Sequence, residues 1–292
     1  MPTYTRLPLI FVKGKGMKLI DIDGTQYLDF FPGWGVSSLG HCHPDVVSAV
    51  RDQIDKLIHL PNNYLSVQQA KLAKEIIFWS FKGKVFFANS GAEANEAAVK
   101  LARAYGQGRY EIISFTGSFH GRTLAALTMT GQLKYQEGFK PLPAGFTTVP
   151  FNDIAAVEKA LTDKTVGIIV ELIQGEGGIN VAETNFVFAL RKLCDEKKIL
   201  LIVDEVQTGL GRTGKMFAYE HYGITPDIMT LAKALGGGLP IGALVAKREI
   251  ADTLTAGTHA STFGGSPLVS KAALAVFRAI QKEKLLTNAA RM

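Results

Sequence analysis

Cysteine is nearly missing from this chain: Cys42 and Cys194 are the only two in 292 residues. That excludes a disulfide framework, which needs several paired cysteines in a short secreted chain. Long apolar runs are missing too, and no stretch reaches the roughly 20 residues of a membrane-spanning helix. The opening MPTYTRLPLIFVKGKG lacks the layout of a signal peptide, so a cytoplasmic protein is expected. Charge of one sign is nowhere concentrated. The net charge is +6 and the pI about 9.2, yet the basic residues are scattered. There is no basic arm and no patch with interleaved aromatics, so neither nucleic acid nor a membrane is an expected partner. Internal repeats and low-complexity linkers are absent as well.

What is present is enough apolar material for a core. With 47% hydrophobic residues and a mean hydropathy of +0.14, the chain suits one large domain or two small ones. The first thirty residues read as short strands between Gly and Asp-Gly turns, an antiparallel segment. PDVVSAVRDQIDKLIHL has helical spacing. From about residue 70 strands and helices alternate: KVFFANS, YEIISF, TVGIIVEL, ILLIVDEV, PDIMTL and IGALVAK read as strands, and AEANEAAVKLARAY and NFVFALRKLCDEKK as helices. Strands apolar on both faces, alternating with helices, predict an α/β fold with a mostly parallel sheet. SKAALAVFRAIQKEKLLTNAARM reads as one closing amphipathic helix.

Two motifs invite readings that weaken on inspection. GLGRTGK, residues 209–215, fits G-x-G-x-x-G through Gly209, Gly211 and Gly214, with Asp227 near the place of a ribose-binding acid. It also fits the start of a phosphate loop through Lys215. But Met216 stands where that loop needs Ser or Thr, and DEVQT separates the glycines from the strand end. A flexible glycine turn is preferred. HCHP, residues 41–44, puts His, Cys and His too close together to share one ion, so a helix-capping turn with Pro44 is expected and no metal site.

TLAKALGGG poses a sharper question, because Lys233 is a lone cation among small apolar residues. Either it snorkels to water from a mobile loop, or its amine is held in a pocket because it reacts. Its surroundings would suit pyridoxal phosphate, which needs a phosphate cradle, a carboxylate at its ring nitrogen and a stacking surface. Ser90, Gly91 and Ala92 lie between a strand and a helix start, where free amides favour a phosphate; a plain capping box of Ser90 with Glu93 is the alternative. Asp204 ends an apolar strand, where α/β folds place ligands; magnesium binding by Asp204 and Glu205 is its rival. Phe119 can stack on a ring and Arg122 can fork onto a carboxylate, or they form a core aromatic beside a surface arginine. Thr262 offers a hydroxyl for phosphate, or simply makes a Ser/Thr turn.

In this order the motifs resemble the class III, fold-type I pyridoxal-phosphate aminotransferases. Within that family the acetylornithine branch is nearest, and the ornithine and 4-aminobutyrate enzymes are relatives. DIDGTQYLDF, LGHCHPDVV, NSGAEANEAAVKLAR, SFHGRT, QGEGG, DEVQTGLGRTGK, LAKALGGGLPIGA and STFGGSPL carry the resemblance. It implies an N-terminal segment over 1–60 and a cofactor-binding α/β domain over 61–292. It implies a homodimer with shared active sites, moving the terminal amino group of N-acetylornithine to 2-oxoglutarate in arginine biosynthesis. Other donors of the same family (ornithine, succinylornithine, 4-aminobutyrate, carrier-linked lysine) stay open, as does an inactive cofactor-binding fragment. By resemblance Lys233 is the Schiff-base lysine and proton carrier. Ser90, Gly91, Ala92, Phe119, Asp204, Glu205, Val206 and Gln207 bind the cofactor, with Thr262 reaching in from a partner subunit. Arg122 and Ser261 hold the substrate carboxylate, and Glu176 switches between two kinds of amine.

Three departures from the family pattern stand out. Leu172 replaces the usual proline after Glu171. Trp34 and Ser38 stand in a stretch usually rich in alanine and asparagine. The family's C-terminal small domain, which closes over the substrate, is expected to be absent.

Overall fold

The computed structural model describes residues 1–292. A three-stranded antiparallel sheet, Phe11–Lys15, Lys18–Asp21 and Gln26–Leu28, forms the N-terminal segment. Asp21 organises its turn: its carboxylate accepts from the backbone N–H of Asp23 and Thr25 and from the Tyr27 hydroxyl. The main sheet has seven strands in the order Gly83–Ala88, Gly242–Lys247, Ile228–Leu231, Leu200–Asp204, Thr165–Val170, Glu111–Phe115 and Phe146–Val149. Gly242–Lys247 is antiparallel to both neighbours and the rest run one way. The sheet is thus mostly parallel, as expected.

Alternation along the central strands divides the core between the two sheet faces, because successive side chains point oppositely. Ile168, Val170, Leu201 and Val203 join the cluster on one face, with Leu190 of helix Thr184–Lys197 and Phe277 of helix Pro267–Lys282. Ile169, Leu200 and Ile202 join the other, with Ala97, Ala98 and Leu101 of helix Gly91–Tyr105. Strand Thr165–Val170 is buried along its whole length, as a strand covered on both faces must be.

The ends of the elements follow local chemistry. Helix Pro44–Ile54 begins with His43 as N-cap and Pro44 in the first turn, where a missing N–H costs nothing. His41 turns to Asp29 at 2.7 Å and His43 to Glu283 at 3.0 Å. The two imidazoles of HCHP therefore serve separate carboxylates. The expected single closing helix is two, Pro267–Lys282 and Leu285–Arg291, broken at Lys284 with φ of 52°. The break turns the last helix onto the glycine loop. Gly214 has φ of +89°, and a Cβ there would meet the Ala290 backbone at 2.9 Å. The glycines of GLGRTGK therefore serve a tight turn and a close helix approach, and Asp227 pairs with Arg191 and Lys247. Gly214→Ala is expected to cost about 1–3 kcal/mol, read as a melting temperature lower by several degrees.

Candidate active site

Five parallel strands deliver their carboxyl ends to one rim of the sheet, and the loops leaving them enclose a cavity of about 450 Å³. Ligand crevices of α/β folds lie at such a rim. Gly83–Ala88 leads to Ser90, Glu111–Phe115 to Phe119, Thr165–Val170 to Glu171, Leu200–Asp204 to Asp204, and Ile228–Leu231 to Lys233. Ser90, Gly91, Ala92, Phe119, Arg122, Glu176, Asp204, Val206, Gln207 and Lys233 all line the cavity.

Lys233 enters in the left-handed region, with φ of 45°, a strained conformation for a side-chain-bearing residue. Burial lowers its pKa, against the opposing pull of the Asp204, Glu176 and Glu171 charges. A lysine so placed has a larger fraction of free amine at neutral pH.

Asp204 is held from three sides. Its Oδ2 accepts from Asn95 Nδ2 and from His120 Nδ1, both at 2.8 Å, and its Oδ1 accepts from Val206 N at 2.9 Å. Asn95 is itself fixed, donating to His120 O and accepting from Thr230 Oγ1. His120 is fully buried and its Nε2 has no partner. Burial opposes its charged form, but the hydrogen bond to Asp204 and the charges of Asp204 and Glu171 outweigh it, and its pKa rises.

At the other end of the cavity, helix Gly91–Tyr105 starts with Ser90 as N-cap, its hydroxyl accepting from Glu93 N. Glu93 reaches back to the N–H and the amide of Asn89. The free N–H groups of this first turn face the cavity as an anion cradle. Its first residue must be small, since a Cβ at Gly91 would meet Val206 Cγ1 at 2.8 Å. Gln207 is packed against Gly175, whose Cβ would overlap its Oε1. Near the mouth the Arg122 guanidinium lies 4.0 Å from the Tyr135 ring centroid and 5.4 Å from that of Phe119. It keeps its hydrogen-bonding edge open to a carboxylate.

Three expected residues are elsewhere. Glu205 does not line the cavity, which corrects its assignment to the cofactor. The chain turns after Asp204, and the Glu205 carboxylate points into the core, accepting from Thr208 Oγ1 and Tyr219 N. Ser261 and Thr262 lie outside their own chain's cavity. The Ser261 hydroxyl accepts from Gly264 N and from Asn89 Nδ2, and Thr262 is exposed. Conversely, Asn95, His120, Glu171 and Tyr135 contribute without having been singled out in the sequence. Asn95 carried one signal, a poor helix former in a helix of strong ones.

Two buried carboxyls give the fold a pH dependence. Burial pushes both Glu171 and Glu205 up to about 7. Between the ordinary glutamate value and that one, the folded state holds more protons than the unfolded state, so stability falls as pH rises. His120 adds in the same direction. Glu205→Gln is therefore expected to flatten the fall in melting temperature between pH 5 and 8, removing on the order of 2–3 kcal/mol of pH dependence.

A half-buried amine without a fixed partner, a braced carboxylate, a cradle of backbone amides and the Phe119 ring on the wall of the same cavity together fit pyridoxal phosphate. Comparison with known proteins agrees. The family described as Aminotransferase class-III matches residues 2–292, and the chain belongs to that family. Acetylornithine aminotransferase of Methanocaldococcus jannaschii is 56% identical over 284 residues, 96% of this chain and 71% of that protein. The enzyme of the same name from Caldanaerobacter subterraneus is also 56% identical, over 98% of this chain and 74% of its own. Among solved structures, the ornithine aminotransferase of Toxoplasma gondii superposes with a TM-score of 0.96 at 35% identity, covering 100% of this chain and 71% of that one. The acetylornithine aminotransferase of Elizabethkingia anophelis gives 0.87 at 34% identity, covering 100% and 72%.

Proposed function

We propose that the chain transfers the terminal amino group of N-acetylornithine to 2-oxoglutarate, using pyridoxal phosphate and working as a cytoplasmic homodimer. The observation that carries the chemistry is Lys233, a half-buried and strained lysine in one cavity with the braced Asp204. The substrate follows from the acetylornithine aminotransferases among its relatives. For the dimer, support comes from large apolar side chains left exposed on the surface, including Phe30 at 90% and Leu65 at 100%. Patches of that kind mark protein interfaces.

When bound, the cofactor supplies an electron sink for the pair released as a carbon–hydrogen bond breaks. The chain supplies the rest. The helix start at Ser90, Gly91 and Ala92 binds phosphate through backbone N–H groups. Asp204, its orientation fixed by His120 and Asn95, holds a proton at the ring nitrogen. Phe119 and Val206 bound the ring's space and exclude water. Gln207 offers its amide to the ring oxygen. Lys233 Nζ would take the proton from the carbon bearing the donor's amino group and deliver it, within the same half-reaction, to the cofactor carbon that receives the amine, and would carry the reverse transfer when the acceptor is aminated. Arg122 holds the donor's carboxylate, and Glu176, at the same mouth, adjusts that site between the two amine classes.

Because one lysine serves both half-reactions, the kinetics are expected to be ping-pong. A substrate panel tests the proposal: N-acetylornithine should give the highest kcat/KM against ornithine, 4-aminobutyrate and succinylornithine. A preference for another donor would overturn the substrate while leaving the chemistry. Arg122→Lys should raise KM for N-acetylornithine about tenfold, since one fork contact is lost, and change cofactor affinity less than about twofold. Equal losses of both would make Arg122 structural.

A further inference from the structure

The loop Ala260–Ser266 is held far more firmly than an exposed turn requires, and the hold comes from two amide side chains. Asn62 Nδ2 donates to Ser261 O and to Gly264 O, each at 3.0 Å. Gln69 Nε2 donates to Asn62 Oδ1 at 2.7 Å and reaches Gly265 O at 3.3 Å. Gln69 is itself seated at the start of helix Val67–Trp79, whose N-cap Ser66 accepts from its N–H. The loop lies against its support without room to shift: a Cβ at Gly264 would overlap Phe87 O, and one at Gly265 would sit 2.7 Å from Gln69 Nε2.

These amide contacts grip the loop's base; at its tip the Phe263 ring rests 5.2 Å from that of His59, and the Thr262 side chain is left without a partner. Thr262 and Phe263 are exposed, Phe263 at 60%, and the Thr262 hydroxyl makes no hydrogen bond in its own chain. Neither residue lines the cavity described above. The neighbouring Tyr64, Leu65 and Val67 are also exposed, at 65%, 100% and 66%. A rigid base carrying a polar tip, set in an apolar surface, is the geometry of a group presented across an interface.

We propose that Asn62 and Gln69 are positioning residues that fix the Ala260–Ser266 loop so that Thr262 is delivered to the active-site cavity of a second copy of this chain. The inference rests on the homodimer reading given under Proposed function. It adds the two residues that make the delivery work, and it says in which subunit they act. The competing route runs within one chain, because Ser261 also touches Asn89, the neighbour of Ser90.

Subunit mixing separates the routes. Asn62→Asp keeps the side-chain shape and removes the donor, so it should weaken cofactor binding about tenfold, the effect of losing about one net hydrogen bond or slightly more. Hybrid dimers are then assembled in which one subunit carries Lys233→Ala and the other carries Asn62→Asp. Cofactor fixed by borohydride counts only sites that retain Lys233, and its titration gives their affinity. The one such site lies on the Asn62→Asp subunit and is served by the unaltered loop of its mate. Wild-type affinity there supports the proposal. Affinity still reduced tenfold would overturn it, placing Asn62 in its own site.

Putting both changes on one subunit should give the reverse result, a weakened site on the unaltered subunit. The same hybrids built with Thr262→Ala test the underlying reading. If Thr262→Ala acts across subunits and Asn62→Asp has no effect, the proposal falls and the dimer reading stands. If Thr262→Ala weakens only its own subunit's site, or no dimer forms, the dimer reading falls and takes the proposal with it.

Discussion

Lys233→Ala is expected to lower transamination by about four orders of magnitude or more, because it removes both nucleophile and proton carrier. Borohydride should no longer fix cofactor to the protein. Reversible binding should persist, since the helix start at Ser90–Ala92, the Phe119 face and Asp204 are untouched. That combination separates a chemical role from a structural one. The substitution should also leave the fold intact. Lys233 is a strained residue with a partly desolvated amine, so its removal relieves cost as well as losing contacts. A melting temperature unchanged or slightly raised is expected. Cofactor still fixed by borohydride in the variant would place the reactive amine elsewhere.

Asp204→Asn is the second large effect, and it should act on activity and stability together. The carboxylate accepts from Asn95, His120 and the Val206 N–H. An amide of the same shape points N–H bonds at groups that are themselves donors, and it leaves buried His120 without its counter-charge. Losing a braced charge at the site of electron build-up costs about 10²–10³ in turnover. Breaking the buried pair is expected to cost about 2–4 kcal/mol in stability. Glu205→Gln is the matching control, one residue further along the chain. It removes a buried carboxyl that does not reach the cavity, so turnover should stay within about threefold. Equal losses of turnover in the two variants would mean that Asp204 acts only through stability.

The sequence made the fold class legible because the central strands are apolar on both faces, a pattern that in alternation with helices leaves little choice. It could not reveal that Gly242–Lys247 runs antiparallel, since a buried strand has the same composition in either direction. The split of the closing helix at Lys284 was equally silent. No glycine or proline marks it, and a lysine occupies the left-handed position. In the site, Lys233 and Asp204 stood out because a lone cation and a strand-ending carboxylate are anomalous in apolar surroundings. Their support did not stand out. His120 and Asn95 lie 84 and 109 residues from Asp204 in the chain, and nothing local marks a residue whose partner is brought by the fold. Glu205 shows the opposite error: adjacent to Asp204 in sequence, it was grouped with it, although the turn after the strand sends it into the core.

The central claim is that this cavity binds pyridoxal phosphate through Lys233 and uses it on an amine. The most direct measurement is the visible spectrum of the purified chain mixed with the cofactor, before and after N-acetylornithine is added without 2-oxoglutarate. The account predicts a protein-bound chromophore that is absent in Lys233→Ala. It further predicts that the donor converts it stoichiometrically to the amine form of the cofactor. A chromophore that forms and then ignores the donor, or one that forms equally well without Lys233, would contradict it.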